Sequence, residues 1–310
     1  HLHHRGCNEF NMINKDEIEA MLYLLDDSDE RVVEEIESRI LVEGPEVLPI
    51  LNEYWNADNN PERIASIHSL IKQIKQRSIV EDMRAWLMDS ESDLLEGMII
   101  IEKIANPNLD KQLLENKLDK IKLDAWLELK YDLTSFEKIK ILNHILFDVH
   151  ELSGDTESYH SSKNSFLSSV LNNKKGNPVS LAIIYSIIAQ KLNIPVYGVN
   201  LPQHFILGYV DDFEWPPLLR FNDESAIGDD EGGNIMFYIN PFNKGLIFNR
   251  ENINKFLKQL KLEPKDEYYK TCKNKDIIVR VLRNLEVSYA KENSVYKLDL
   301  VKRLLSLMSS

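Results

Sequence analysis

The sequence predicts an α+β protein in which a mixed central domain lies between two helical regions. Three observations lead to this prediction: helical periodicity over Lys15–Leu129, β-branched and aromatic runs within Val196–Ile239, and two amphipathic helices after Pro264. At ~100–200 residues per domain, a chain of 310 residues holds two or three units. We expect a tag or disordered extension over residues 1–14 and domains over 15–130, 131–264 and 265–310.

The composition is typical of a globular protein and excludes several functional classes. Hydrophobic residues make up 43% of the chain, charged residues make up 28%, and the formal net charge is −13. Because an acidic surface repels phosphate backbones and anionic lipids, we expect neither nucleic-acid nor membrane-surface binding. The apolar stretches are far shorter than the ~20 residues that a membrane-spanning helix needs.

The two cysteines, Cys7 and Cys272, are too few for a disulfide framework and favour a reducing cytoplasm. No stretch has the charged start, apolar core and cleavage site of a signal peptide. Histidines at positions 1, 3 and 4 indicate a tag or unstructured extension, with Met12 as a natural start. We therefore expect a cytoplasmic protein, and we expect no cofactor.

The N-terminal region has apolar residues at helical spacing, and its breaks are expected at Gly44-Pro45, Asn59-Asn60-Pro61 and Asn106-Pro107. Each helix between these breaks should run roughly 10–15 residues. A faint repeat places acidic and Ser cap residues before an apolar helix at 25–40 and again at 87–104, which suits stacked HEAT-like pairs. An irregular helical bundle explains the same pattern.

The central region changes from helices to a mixture of helices and strands. We predict helices over Phe136–Phe147, Phe166–Leu171 and Val179–Leu192, the last of them buried on most of its circumference. Strands are predicted over Val196–Asn200, Phe205–Val210 and Ile235–Ile239. Polar loops are expected over Ser153–Asn164 and Asp211–Gly233. A helix around Ile253–Leu260 and a terminal helical pair of tetratricopeptide-like length complete the chain.

Three separated segments suggest one site. Asn177 is a favoured N-cap and Pro178 a favoured first helical residue, so free N–H groups at this helix start can face an anion or oxyanion. His204 begins a strand, and Asn240 ends another. A helix start, a strand histidine and a strand Asp or Asn form the layout of a papain-like or transglutaminase-like Cys-His-Asp site.

The chain resembles the SirB-type transglutaminase-like family in two runs, GNPVSLAIIYSIIAQKLNIPVYGVNLPQHFILGYV and FYINPFNKGLIFNRENINKFL. That family has a C-terminal tetratricopeptide region, and its domain also occurs in some F-box proteins. The resemblance covers Asp132–Leu260 well and extends weakly through the last two helices. It implies a central domain of transglutaminase-like, papain-like fold.

The resemblance also implies roles for single residues. His204 corresponds to the catalytic histidine, and Asn240 takes the place of an Asp in active enzymes. Counting from Gly176 and Pro195, which match a glycine and a proline of the family, places the nucleophile at Pro178. Proline has no nucleophilic group, and the hydroxyl of Ser180 points roughly 200° away around the helix. Catalysis by the superfamily mechanism is therefore not expected.

Three functional hypotheses follow. The first is a cytoplasmic pseudoenzyme that binds a protein or peptide, with Asn177, Gln203 and Trp215 as candidate binding residues. The second is a hydrolase or acyltransferase in which His204 is the base, Ser180 or water is the nucleophile, and the helix start is the oxyanion hole. The third is a helical-repeat adaptor with an inert central domain.

Two further features have alternative interpretations. Residues of metal-ligating types cluster at positions 144–160, namely His144, Asp148, His150, Asp155, Glu157 and His160. Because no HExxH-like spacing occurs, we interpret this cluster as a surface helix and polar loop and expect no metal. The Trp215-Pro216-Pro217 segment either docks a partner or folds back over the sheet.

Overall fold

The computed structural model describes residues 14–89, 93–210 and 235–309. The described chain consists of two compact units, with the boundary between residues 82 and 83. None of the described helices is long and apolar enough to cross a membrane. Cys7, Trp215 and the whole of the expected loop over Asp211–Gly233 lie outside the described residues.

The first unit is helical, as the periodicity predicts. It contains α1 (Lys15–Leu22), α2 (Glu30–Glu43), α3 (Leu48–Ala57) and most of α4 (Pro61–Met88). Its core is built from fully buried aliphatic side chains, among them Leu22, Ile40, Leu51, Ile67 and Leu70.

The predicted breaks in this unit have clear causes. α2 ends at Gly44, whose φ of +72° suits a residue without a Cβ, and α4 begins with Pro61. α4 runs for 28 residues, so the expected length of roughly 10–15 residues is wrong for this helix. The physical reason is visible in the sequence, since neither Gly nor Pro occurs between residues 62 and 88 to interrupt the hydrogen-bond ladder.

The second unit contains the remaining helices of the described chain. They are α5 (Leu94–Ala105), α6 (Lys111–Glu128), α7 (Ser135–Asn143), α8 (Leu167–Asn173), α9 (Pro178–Lys191), α10 (Arg250–Gln259), α11 (Asn274–Lys291) and α12 (Val295–Met308). The helix predicted over Phe136–Phe147 is present, but after Asn143 it widens into a π-helical segment over His144–Val149.

Two small sheets complete the second unit. β1 (Ser153–Gly154) pairs in parallel with β2 (Lys175–Gly176), and β1 lies at the start of the expected polar loop over Ser153–Asn164. β3 (Val196–Leu201), β4 (His204–Val210), β5 (Ile235–Asn240) and β6 (Leu246–Phe248) form an antiparallel sheet in that order. β6 was not predicted, because three residues are too short for an alternation pattern.

α9 packs along β3 and β4, and its side chains are buried from Pro178 through Ala189, as the apolar sequence predicts. A separate apolar cluster joins β3, β4 and β5 to α10 and to the segment around Tyr269, with Val199, Ile206, Tyr238, Ile253 and Leu257 among its members. Helices thus cover the sheet of an α+β unit.

Candidate functional site

The start of α9 is fixed by a closed pair of hydrogen bonds. The Ser180 N–H donates to Asn177 Oδ1 over 2.9 Å, and the Asn177 N–H donates to Ser180 Oγ over 3.0 Å. This reciprocal capping box occupies two of the donors that a helix start leaves without intrahelical partners. The parallel pair β1–β2 positions the start of α9, because Gly176 of β2 immediately precedes the N-cap residue Asn177.

The polar atoms of this cap are already used inside the protein. Asn177 donates its amide to Ser165 Oγ over 3.0 Å, and the Ser180 hydroxyl donates to the Asn177 carbonyl over 3.2 Å. Asn177 is 5% exposed and Ser180 is 1% exposed. Both of these hydrogen bonds of the Ser180 hydroxyl are with Asn177, which favours a structural role for it over that of a nucleophile.

Pro178 is the first residue of α9 and is buried. It lacks the N–H that the first helical residue would leave unbonded, and its fixed φ suits the helix, so the residue stabilises the start. It brings no thiol, hydroxyl or amine to the position that the SirB-type resemblance implies for a nucleophile.

A tight hairpin positions His204. Leu201 of β3 pairs directly with His204 of β4, and only Pro202 and Gln203 connect them. Gln203 has a φ of +58°, as the third residue of a type II turn requires, and its side chain is exposed. Of the predicted binding residues, Gln203 is thus accessible, whereas Asn177 is buried.

The His204 ring lies among three groups. It forms a side-chain hydrogen bond with Asn240, its centroid is 6.1 Å from that of Phe256 on α10, and the Arg280 guanidinium acts on it electrostatically. Burial, followed by the Arg280 charge, lowers the pKa of His204, and the bond with Asn240 opposes this shift. The imidazole is therefore held in its neutral form more strongly than a free histidine.

Arg280 was not identified from the sequence. Its guanidinium donates to Asn200 Oδ1 over 3.0 Å and to the Leu201 carbonyl over 3.3 Å, which fastens α11 to the end of β3 beside His204. Burial lowers the pKa of Arg280 as its largest influence. A sequence signal existed, because Arg280 lies three residues after the buried Ile277 and so interrupts an apolar helix face.

Asn240 connects the histidine side of the site to the helix start. Its side chain accepts from the Asn243 N–H over 3.3 Å and so caps the short turn over Pro241–Asn243, which contacts α9. The Phe242 ring of this turn lies directly against Gly154 of β1, and Gly154 pairs with Gly176 before the α9 cap. The structure thus brings His204 and Asn240 together and links both to the start of α9 through packing.

The other residues singled out in the sequence lie elsewhere. Cys272 donates its N–H to the Gly198 carbonyl, and burial raises the pKa of its thiol to about 12, so it is a poor nucleophile. His144 bonds Asp148 over 3.1 Å and His150 bonds Asp124 over 2.8 Å. Among the described residues, no three groups of metal-ligating type are arranged to hold an ion.

Comparison with known proteins identifies the domain. A sequence profile described as the Transglutaminase-like superfamily matches residues 112–283, more than half of the chain. A UPF0162 protein of Vibrio cholerae is 26% identical over 205 residues, which cover 64% of this chain and 67% of that protein. A UPF0162 protein of Xylella fastidiosa is 27% identical over 217 residues, covering 67% of this chain and 69% of that protein.

F-box only protein 21 of Homo sapiens is 24% identical over 200 residues, which cover 57% of this chain and 30% of that longer protein. No solved structure gives a significant match. The superfamily match includes α9, His204 and Arg280, and the capped helix start and the strand histidine have the layout that the sequence analysis associated with such domains. The chain belongs to the transglutaminase-like superfamily.

Proposed function

We propose that this chain is a non-catalytic transglutaminase-like protein that acts in the cytoplasm as a protein-binding or regulatory module. The observation that carries the proposal is the buried start of α9, where Pro178 occupies the position expected for a nucleophile. The neighbouring hydroxyl of Ser180 accepts from the Asn177 N–H and donates to the Asn177 backbone carbonyl. The start of α9 offers no thiol for a thiol-dependent mechanism. Cys272 lies beside β3, where its backbone N–H donates to the Gly198 carbonyl.

The relatives support a modular role. The match to F-box only protein 21 covers only 30% of that protein, so the same domain recurs within a longer chain. A domain that is reused beside other regions suits a binding function. The partner we propose is a protein or peptide.

We assign the chain to the SirB-type branch and propose that its flanks are repeat-like. Residues 15–130 would form the HEAT-like part, residues 131–264 the transglutaminase-like domain, and residues 265–310 a tetratricopeptide-like hairpin. Support for the last part comes from α11 and α12, which have 18 and 14 residues and are joined by a short turn.

A second candidate function has one observation in its favour. The lowered pKa of His204 leaves a neutral imidazole, and Asn240 bonds its ring, which is what a general base acting on water needs. Such a hydrolase would use water, since the bonds of the Ser180 hydroxyl with Asn177 favour a capping role for it. Its activity would depend on His204 and would be indifferent to alkylation of Cys272.

The hydrolysis of p-nitrophenyl acetate by the full chain separates the two functions. Surface imidazoles hydrolyse this ester without a site, so His144→Ala, which removes an exposed histidine, is the matched control for His204→Ala. We expect the two variants to retain equal rates, and we expect Ser180→Ala to match them. A rate that falls at least about tenfold with His204→Ala alone would show that a catalytic site persists.

A further inference from the structure

A groove of about 710 Å³ lies on the second unit, away from the candidate site. It is formed by α6 from Asp119 onward, the turn that follows α6, a lysine of α7, and the end of α9 with the segment after it. None of the residues discussed above as site candidates lines it. Its walls combine aromatic and apolar side chains with several lysines.

The apolar part of the groove comes from an unusual helix. α6 buries one face through Leu114, Leu118, Ile121 and Ala125, yet its other face carries Leu123 and Trp126, which are 53% and 61% exposed. Tyr131, in the turn after α6, also lines the groove and is fully exposed. Large apolar side chains grouped in this way on a surface are typical of interaction sites.

The charge of the groove lining is opposite in sign to the net charge of the chain. Lys122, Lys130, Lys138 and Lys191 line it, together with Asp119 as the single acidic residue. Asp119 is paired with Lys191 over 2.7 Å, and the described structure gives no ion-pair partner for the other three lysines. A chain with a net charge of −13 therefore presents a local positive surface here.

We infer that this groove, hereafter the lysine–tryptophan groove, docks an acidic peptide segment that carries an apolar or aromatic side chain. The apolar side chain packs against Leu123, Trp126 and Tyr131, and the carboxylates pair with Lys122, Lys130 and Lys138. The volume suits a few side chains, since binding clefts of roughly 300–1,000 Å³ hold ligands of that size. The inference rests on the proposed protein-binding function and gives it a surface and a partner chemistry.

A peptide fits the groove better than a nucleic acid does. Affinity for a phosphate backbone grows with the number of phosphates neutralised, about 6–10 in strongly salt-dependent complexes, and three unpaired lysines offer fewer contacts than that. The net charge of the chain opposes a long polyanion, whereas a short acidic peptide places its charge only at the groove.

Fluorescence anisotropy with labelled twelve-residue peptides tests the inference on the full chain. The first peptide contains Asp, Glu, Leu and Phe; the second replaces its acids with Asn and Gln; the third replaces its Leu and Phe with Ser. A twelve-nucleotide oligo-dT serves as the polyanion probe. We expect measurable binding of the first peptide only, and weaker binding as the salt concentration rises.

Two variants should weaken binding of the first peptide by at least about tenfold: the triple change Lys122→Glu, Lys130→Glu, Lys138→Glu, and the single change Trp126→Ala. The matched control makes the same charge change at exposed lysines of α10 and α12, Lys255→Glu, Lys258→Glu and Lys302→Glu, and should stay within about twofold. If the groove triple fails to fold by circular dichroism, the corresponding Lys→Gln triple replaces it.

The inference is overturned if no peptide binds, if the control triple weakens binding as much as the groove triple, or if the neutral peptide or oligo-dT binds as well as the acidic peptide. Failure of the proposed non-catalytic function would instead be seen as His204-dependent ester hydrolysis. The peptide-binding assay and the ester-hydrolysis assay depend on different residues, so one proposal can fail while the other holds.

Discussion

The Glu102 carboxylate accepts hydrogen bonds from both the backbone N–H and the hydroxyl of Ser168, 66 positions further along the chain. Only 1% of Glu102 is exposed, and burial raises its pKa although the bonds from Ser168 oppose that shift. Ser168 lies in the first turn of α8, where N–H groups lack intrahelical partners. Glu102 therefore caps α8 from α5 and fastens the two helices together.

Replacing this cap should cost much of the stability of the second unit. We expect Glu102→Ala to lower the free energy of unfolding by about 3 kcal/mol, because it leaves a buried N–H and hydroxyl without partners. Glu102→Gln keeps an acceptor and should cost about 1 kcal/mol. Urea denaturation followed by circular dichroism measures both. Glu128→Ala on an exposed position should stay within about 0.5 kcal/mol, and an equally small loss for Glu102→Ala would refute the capping role.

The contact between Gly154 and Phe242 gives a second prediction. A Cβ on Gly154 would lie 2.5 Å from Phe242 Cε2, so the ring has to move if β1 and β2 stay paired. We expect Gly154→Ala to destabilise the protein by about 1–3 kcal/mol. The double variant with Phe242→Ala should lose less than the sum of the two single losses, because the clash is then absent. Additive losses in urea denaturation would mean that the two residues are not coupled.

The lowered pKa of His204 predicts a pH dependence. The unfolded chain binds the proton with an ordinary pKa of ~6.5, whereas the folded chain binds it less tightly. The stability that His204 contributes is thus present above pH ~6.5 and is lost as the pH falls toward the folded pKa. His204→Gln should reduce the fall in urea midpoint between about pH 7.5 and pH 5. Identical slopes for wild type and His204→Gln would contradict this assignment.

Restoring a thiol tests whether the site is a vestigial triad. Pro178→Cys places a thiol at the α9 N-terminus, where the helix dipole should lower its pKa below ~8.5. If the three residues form a triad, an imidazolium at His204 should lower it further. The lost backbone constraint should cost about 1 kcal/mol or less. At about pH 6 the new thiol should react with iodoacetamide faster than Cys272, and Asn240→Asp should increase the rate.

The comparison with His204→Ala isolates the role of the imidazole in that experiment. Burial at position 178 limits access of the reagent in both backgrounds, so the ratio of the two rates reports the histidine alone. The vestigial-triad hypothesis would be refuted if the Pro178→Cys variant folds and its thiol titrates like free cysteine in both the His204 and the His204→Ala backgrounds.

The elements that the sequence predicted well are those defined by local chemistry. α9 was expected because Asn177 and Pro178 specify its start and an apolar run specifies its length, and the structure has it over Pro178–Lys191. The strand that begins near His204 was likewise clear from its β-branched and aromatic residues. These signals depend on neighbouring residues alone.

The features that were missed depend on distant partners. β6 is a strand only because β5 lies beside it, and Arg280 reaches His204 only after α11 has packed on β3. The exposure of Trp126 was equally hidden, because tryptophan is highly buried on average and only the packing of α6 shows which of its apolar residues face outward. Tertiary packing decides each of these cases, and a single sequence does not encode it in short-range patterns.

The connections of the sheet also set an order of folding. Only Pro202 and Gln203 separate β3 from β4, and such a hairpin forms in about 1–10 μs, whereas residues 211–234 separate β4 from β5. We therefore expect His204 to reach its register early and Asn240 to arrive later, across the longest connection in the sheet. Loop-closure entropy grows only slowly, so doubling that connection would cost about 0.6 kcal/mol. The chain can thus vary in length between the two partners of the site while keeping the site itself.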